Sequence, residues 1–151
     1  MHAFRKWGYT SAPMSWKLIL GLSLFGLAMG FATVFALPPR NEPYAWLAIF
    51  VLCAYIIAKR APSKYFLHGL CVSLMNSVWV TGAHVLLFDK YLAGHAREAM
   101  MAAKLAQIGT PKVVMAVTGP IVGLVSGIVL GLLAVIASKF VQSRHSEYAG
   151  W

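Results

Sequence analysis

The sequence predicts an all-α, polytopic membrane protein: four transmembrane helices in an antiparallel bundle, with an interfacial or extended helix between the third and fourth. Two observations carry that reading. The chain of 151 residues is 60% hydrophobic and only 11% charged, whereas a soluble domain is about a quarter charged. It lacks the polar surface to cover a water-soluble globule. Four runs, 18–37, 44–58, 65–88 and 113–138, contain no Asp, Glu, Lys or Arg. A bilayer core about 30 Å thick needs roughly 17–25 apolar residues per spanning helix. Lipid satisfies no open backbone groups and no period-2 alternation points to a barrel, so the runs are read as helices.

The elements follow in order within one membrane domain covering residues 1–151. The first span, 18–37, lies between Lys17 and Pro38-Pro39-Arg40. Its apolar run exceeds the signal-peptide core of about 7–15 residues and no A-x-A site follows, so it is read as a retained helix. The second, 44–60, starts after Pro43 and ends on Lys59-Arg60. Its uncharged part rises only about 22 Å, and a snorkelling Lys59 extends it, which favours a full span over a re-entrant segment. The third, 65–88, sits between Lys64 and Asp89-Lys90, and the fourth, 113–138, between Pro111-Lys112 and Lys139. Proline at these edges fits its missing donor and its effect on the preceding residue. Trp16, Tyr44, Trp46, Tyr65 and Tyr91 fall near span boundaries, where amphipathic rings favour the headgroups.

Between spans three and four, Lys90, Arg97 and Lys104 recur every seven residues. Leu92, Ala96, Ala99, Ala103 and Ala106 form an apolar stripe at helical spacing. Two readings of 90–108 stand side by side: a basic amphipathic helix on the membrane surface, or a continuation of span three out of the membrane.

The net charge of +9 does not mark a nucleic-acid-binding domain, because the basic residues cluster at helix ends. Placing both termini in the cytoplasm puts eight Lys and Arg inside and five outside, so the positive-inside rule favours N-in/C-in. Small size points to a bacterial cytoplasmic (inner) membrane. Cys53 and Cys71 lie at similar depth on adjacent spans without a C-x-x-C, and are read as packing residues.

The most specific pattern is in span four. Gly119, Gly123, Gly127 and Gly131 repeat G-x-x-x-G three times, and Gly26 and Gly30 repeat it once in span one. Residues four apart share a helix face, so these glycines form grooves that a neighbouring backbone can approach closely. They predict either tight packing of spans one and four within a subunit or a homo-oligomer. Pro120 predicts a kink near the start of span four.

Span three holds nearly all the intramembrane polarity. Ser73, Ser77, Thr81 and His84 fall on one face with Asn76 beside it, and Tyr91 and His95 continue that face if the helix runs on. Such a stripe points into the bundle, either as hydrogen-bonding glue or as the lining of a path for a small polar solute. Trp79 needs a partner for its indole N–H. His68 and His84 are about 24 Å apart along a helix and cannot share a metal. His68 with Cys71 and Met75, or His95 with Met100-Met101, are weak soft-metal patterns, outweighed by packing roles.

Glu42, Asp89, Glu98 and Glu147 all fall outside the predicted spans, whereas proton-coupled transporters usually carry an ionisable group in the membrane interior. No phosphate loop, H-E-x-x-H or G-x-S-x-G is present. A lipid-acting enzyme with His84 or His95 as base lacks a paired nucleophile. The sequence therefore predicts no catalytic residues, no metal and no cofactor, and leans away from an enzyme. The first functional reading is an oligomerising or accessory subunit packed through its glycine zipper. The alternative is a channel or facilitator for a small solute, lined by Ser73, Asn76, Ser77, Thr81 and His84. The predicted partners are the lipid bilayer and a homo-oligomer or larger membrane complex, with no nucleic acid.

Overall fold

The computed structural model describes residues 13–107 and 109–148, with side chains as far as Val141. All the regular structure in that range is helical: α1 (Trp16–Phe35), a short 3-10 turn (Pro39–Asn41), α2 (Glu42–Arg60), α3 (Tyr65–Leu86), α4 (Phe88–Gly94), α5 (Ala96–Leu105) and α6 (Pro111–Tyr148). Four segments are long and apolar enough to cross a membrane: Trp16–Phe35, Pro39–Arg60, Tyr65–Leu86 and Pro111–Val141. By length and composition this is an integral membrane protein.

Three boundaries differ from the sequence expectation, each for a local reason. Helix α2 begins at Glu42, before Pro43. Proline in the first turn costs no hydrogen bond there, and an acidic side chain complements the positive end of the helix dipole. Helix α6 runs past Lys139 to Tyr148. A lysine marks where lipid contact ends, not where helix must, because Lys, Gln and Arg are good helix formers. The single helix expected over 90–108 is two, and residue 108 lies outside the described residues. Leu87 (φ −107°, ψ 33°) ends α3, α4 follows, and a second break at His95 (φ −130°, ψ 79°), just after the weak helix former Gly94, separates α4 from α5.

The packing order differs from the chain order. Helix α3 lies between α1 and α6, and α2 packs mainly on α6. Rising residue numbers pair along α1 and α3: Ser15 N–H donates to His68, Trp79 Nε1–H to Ser23, Gly26 N–H to Asn76, and Thr33 meets His84. These two helices therefore run parallel. Helix α6 runs antiparallel to α3, since Gly119 lies on Thr81, Gly123 on Ser77, Gly127 on Leu70 and Gly131 on Phe66. The glycines of spans one and four thus do not face each other. Each set faces α3, from a different side.

At one end the bundle is tightly closed. Ile19 and Leu22 of α1, Cys53, Ala54 and Ile57 of α2, Val72 of α3 and Leu130 and Ala134 of α6 form one buried cluster with Ala61. Ile19, Cys53, Ile57, Val72, Leu130 and Ala134 are all 0% exposed. Outward-facing Leu20, Leu24, Val51, Val125 and Leu132 leave an apolar perimeter suited to lipid.

Candidate functional site

Toward the other end the helices part around a cavity of about 570 Å³. Its wall on α3 is polar: Ser73, Asn76, Ser77, Thr81 and His84 all line it. Helix α6 adds Thr118, Gly119, Val122, Gly123 and Ser126, and α1 adds Thr33. From α2 come Glu42, Trp46 and Phe50, spaced four apart and so on one face. The same face continues into Cys53 and Ile57 of the closed core. The cavity therefore ends below Ser73 and Ser126 in aliphatic packing, and its polar lining lies on the Glu42 side of that core.

The polar wall is only partly satisfied by the protein. Ser73 Oγ donates to Gly123 O across the helix pair at 3.1 Å. Ser77 Oγ donates back to Leu74 O at 2.8 Å, within its own helix. Asn76 is 3% exposed; its Oδ1 accepts from Gly26 N–H at 3.2 Å, while its Nδ2 has no protein partner. A buried amide donor left unmade costs about 1–3 kcal/mol, and Asn76 Nδ2 is such a donor on the protein side. Trp79, by contrast, finds its partner outside the cavity, donating to Ser23 Oγ at 3.2 Å.

An aromatic column begins in the cavity wall, which His84 and Tyr91 line. The rings of His84 and Tyr91 stack with centroids 3.9 Å apart, and those of Tyr91 and His95 with centroids 4.1 Å apart. The turn at Leu87 does not interrupt the face: it tips α4 so that Tyr91 lies on His84. Thr33 Oγ1 lies 2.7 Å from His84 Nε2 and 3.1 Å from Gly30 O. With its single proton given to Gly30 O, the threonine accepts from His84 Nε2–H. His95 Nδ1–H donates to Tyr91 O at 2.9 Å, which leaves Nε2 a lone pair when the ring is neutral. That atom is buried without a hydrogen bond and faces Glu42 Oε1 at 3.9 Å. Burial, and then the Glu98 and Glu42 carboxylates, push the Tyr91 phenol up to about 12.

The remaining candidates lie apart from this site. His68 is buried at the closed end, where Nδ1–H donates to Lys64 O and Nε2 accepts from Ser15 N–H. With both nitrogens engaged it joins the starts of α1 and α3, and it is not free to bind a metal. Met100 and Met101 are exposed on α5. Cys53 and Cys71 are free thiols. Among the described residues no three His, Cys, Asp or Glu side chains come together as a metal site. Gly26, Gly30, Gly119, Gly123, Gly127 and Gly131 serve helix contacts, and of these Gly119 and Gly123 also border the cavity.

The sequence does not mark Glu42, Trp46 and Phe50 as site residues: Pro43 reads as the start of the span, which leaves Glu42 outside it, and Trp46 reads as a boundary aromatic. The available signal was their four-residue spacing, continued by Cys53 and Ile57. No protein family, curated protein or solved structure matches this chain.

Proposed function

We propose that this protein is a facilitator for a small polar solute, taken up into the α2–α3–α6 cavity. The observation that carries the reading is the unpartnered Asn76 Nδ2 on a polar wall beside a cavity of about 570 Å³. Interhelical glue would leave no such donor, since its purpose is to satisfy polar groups in a medium that cannot. Because the opposite end is sealed, flux through the protein requires the core around Ile57 and Leu130 to part. Transport should therefore saturate with solute, as for a carrier, instead of rising linearly as for an open pore.

In the proposed N-in/C-in arrangement of an inner membrane, the Glu42 side of the cavity faces the outer side and the sealed end the cytoplasm. Lys59, Arg60 and Lys64 beside the sealed end favour that orientation. An oligomerising or accessory subunit packed through its glycine zipper would need a free glycine groove on α6 only if that groove met a partner. That groove is covered by α3, so the surface left for a partner is apolar helix that lipid covers equally well.

The test is solute uptake into proteoliposomes over a panel of small neutral and charged solutes. Saturable uptake above that of empty vesicles is expected. Ser126→Phe, which fills the cavity without removing a buried hydrogen bond, should lower it by about tenfold or more, the cost expected of steric exclusion from a close-packed site. Uptake equal to empty vesicles for every solute, or unchanged by Ser126→Phe, would overturn the reading.

A further inference from the structure

We infer that the cavity selects small organic cations, with Glu42 as counter-charge and Trp46, Phe50 and Tyr91 as an aromatic wall. This rests on the cavity being a ligand site, as proposed above, and adds the chemical class of the ligand.

The argument begins with charge. The chain carries 13 Lys and Arg against 4 Asp and Glu, yet among the described residues no Lys or Arg lines the cavity and Glu42 does. The nearby basic groups are turned elsewhere: Lys90 Nζ sits 5.8 Å from the centre of the Phe35 ring and Lys112 Nζ 5.3 Å from that of Phe88. In a protein so rich in positive charge, a cavity whose formally charged lining is one carboxylate repels anions and attracts cations. Among the described residues the counter-group that Glu42 meets is His95, whose Nε2 lies 3.9 Å from Oε1, beyond hydrogen-bond distance, and which is charged only when protonated.

The second element is the aromatic surface. Trp46 and Phe50 stand one and two turns below Glu42 on the same helix face, edge to face with centroids 6.1 Å apart. Tyr91 lines the same cavity, held flat against His84 and His95. Ring faces attract a weakly hydrated ammonium, most strongly when it is desolvated. A carboxylate flanked by a Trp, a Phe and a Tyr is the arrangement that separates an alkylammonium from a neutral molecule of the same shape. Deeper in, Ser73, Ser77 and Ser126 offer hydroxyls and Asn76 an amide donor to a polar substituent on the cation.

The experiment measures binding, by calorimetry, to the full chain in lipid nanodiscs. The probes are tetramethylammonium, tetraethylammonium and choline, each against a neutral carbon analogue; for choline this is 3,3-dimethylbutan-1-ol. At least one cation should bind at least about tenfold more tightly than its neutral analogue, a modest part of what a charge pair at an effective dielectric near 20 supplies. Glu42→Gln should remove that preference, Glu42→Asp should retain part of it, and Trp46→Leu should weaken cation binding more than Trp46→Phe. Thermal melting of each variant separates loss of binding from loss of fold. Neutral analogues that bind as well as the cations, with Glu42→Gln changing neither, would overturn the cation inference and leave the cavity reading standing. If no probe of either kind binds, both fall.

Discussion

Asn76 is the residue on which the interior turns. It touches α1 through Oδ1 and borders the cavity, so one side chain couples the packing of a helix to the shape of the site. Its neighbour Gly26 has no room for change: a Cβ there would stand 2.5 Å from Asn76 Cα, which is backbone and cannot swing away. Gly26→Ala should therefore destabilise the fold by about 1–3 kcal/mol, the range for overpacking. Gly21, on the same helix, has nothing within 4 Å of the equivalent position. There Gly21→Ala should be neutral or stabilising by up to about 1 kcal/mol through helix propensity. Thermal melts of the two variants in one detergent check the contrast; a Gly26→Ala melt equal to that of Gly21→Ala would contradict the packing described. Tyr91 supplies a pH-dependent counterpart. Its phenol is raised from 10 to about 12, so the neutral form is favoured by the fold. Its contribution is whole below pH 10 and is lost progressively as pH rises through about 12. Phenolate absorbance should show one of the described tyrosines titrating late, and Tyr91→Phe should remove that step.

At the scale of elements, α3 is the organising helix because both of its flanks meet glycine. On one flank Gly26 and Gly30 of α1 admit Asn76, Val80 and Ala83; on the other Gly119 through Gly131 of α6 admit Thr81, Ser77, Leu70 and Phe66. Gly69 of α3 meets Gly131 of α6 backbone to backbone. Without a hydrophobic drive between helices in lipid, such close contact and its dispersion energy hold them together. Gly123→Ile with Gly127→Ile should separate α6 from α3 and reduce the folded yield in detergent. If the double variant kept wild-type size and melting temperature, the α3–α6 contact would be refuted. Helix α4 is attached differently, by ring stacking of Tyr91 between two histidines. Hydrogen exchange over 88–105 should rise in Tyr91→Ala while that of α6 stays unchanged.

For the whole molecule, the arrangement is asymmetric along its long axis. Small and aliphatic side chains close the end near Ile57 and Leu130, and polar and aromatic ones line the cavity toward Glu42. The four apolar segments and the face shared by Ser73, Ser77, Thr81 and His84 could be read directly from spacing, because helical periodicity and the thickness of lipid are local constraints. The partner of each glycine groove could not be. Any small-residue face is complementary to any neighbour, and the choice of α3 over a direct α1–α6 contact depends on side chains fifty positions away. Glu42 was hidden for a related reason: a carboxylate just before a proline reads as loop until the first turn of α2 is seen to include both.

What the amino-acid order determines alone is residence in a membrane, because hydropathy and charge act residue by residue against a uniform solvent. It also determines which face of span three is polar. What only the tertiary structure decides is that this face, the Glu42–Trp46–Phe50 face of α2 and the flank of α6 enclose a common space. That enclosure is set by how helices distant in sequence choose their neighbours, and this depends on packing energies summed over whole surfaces.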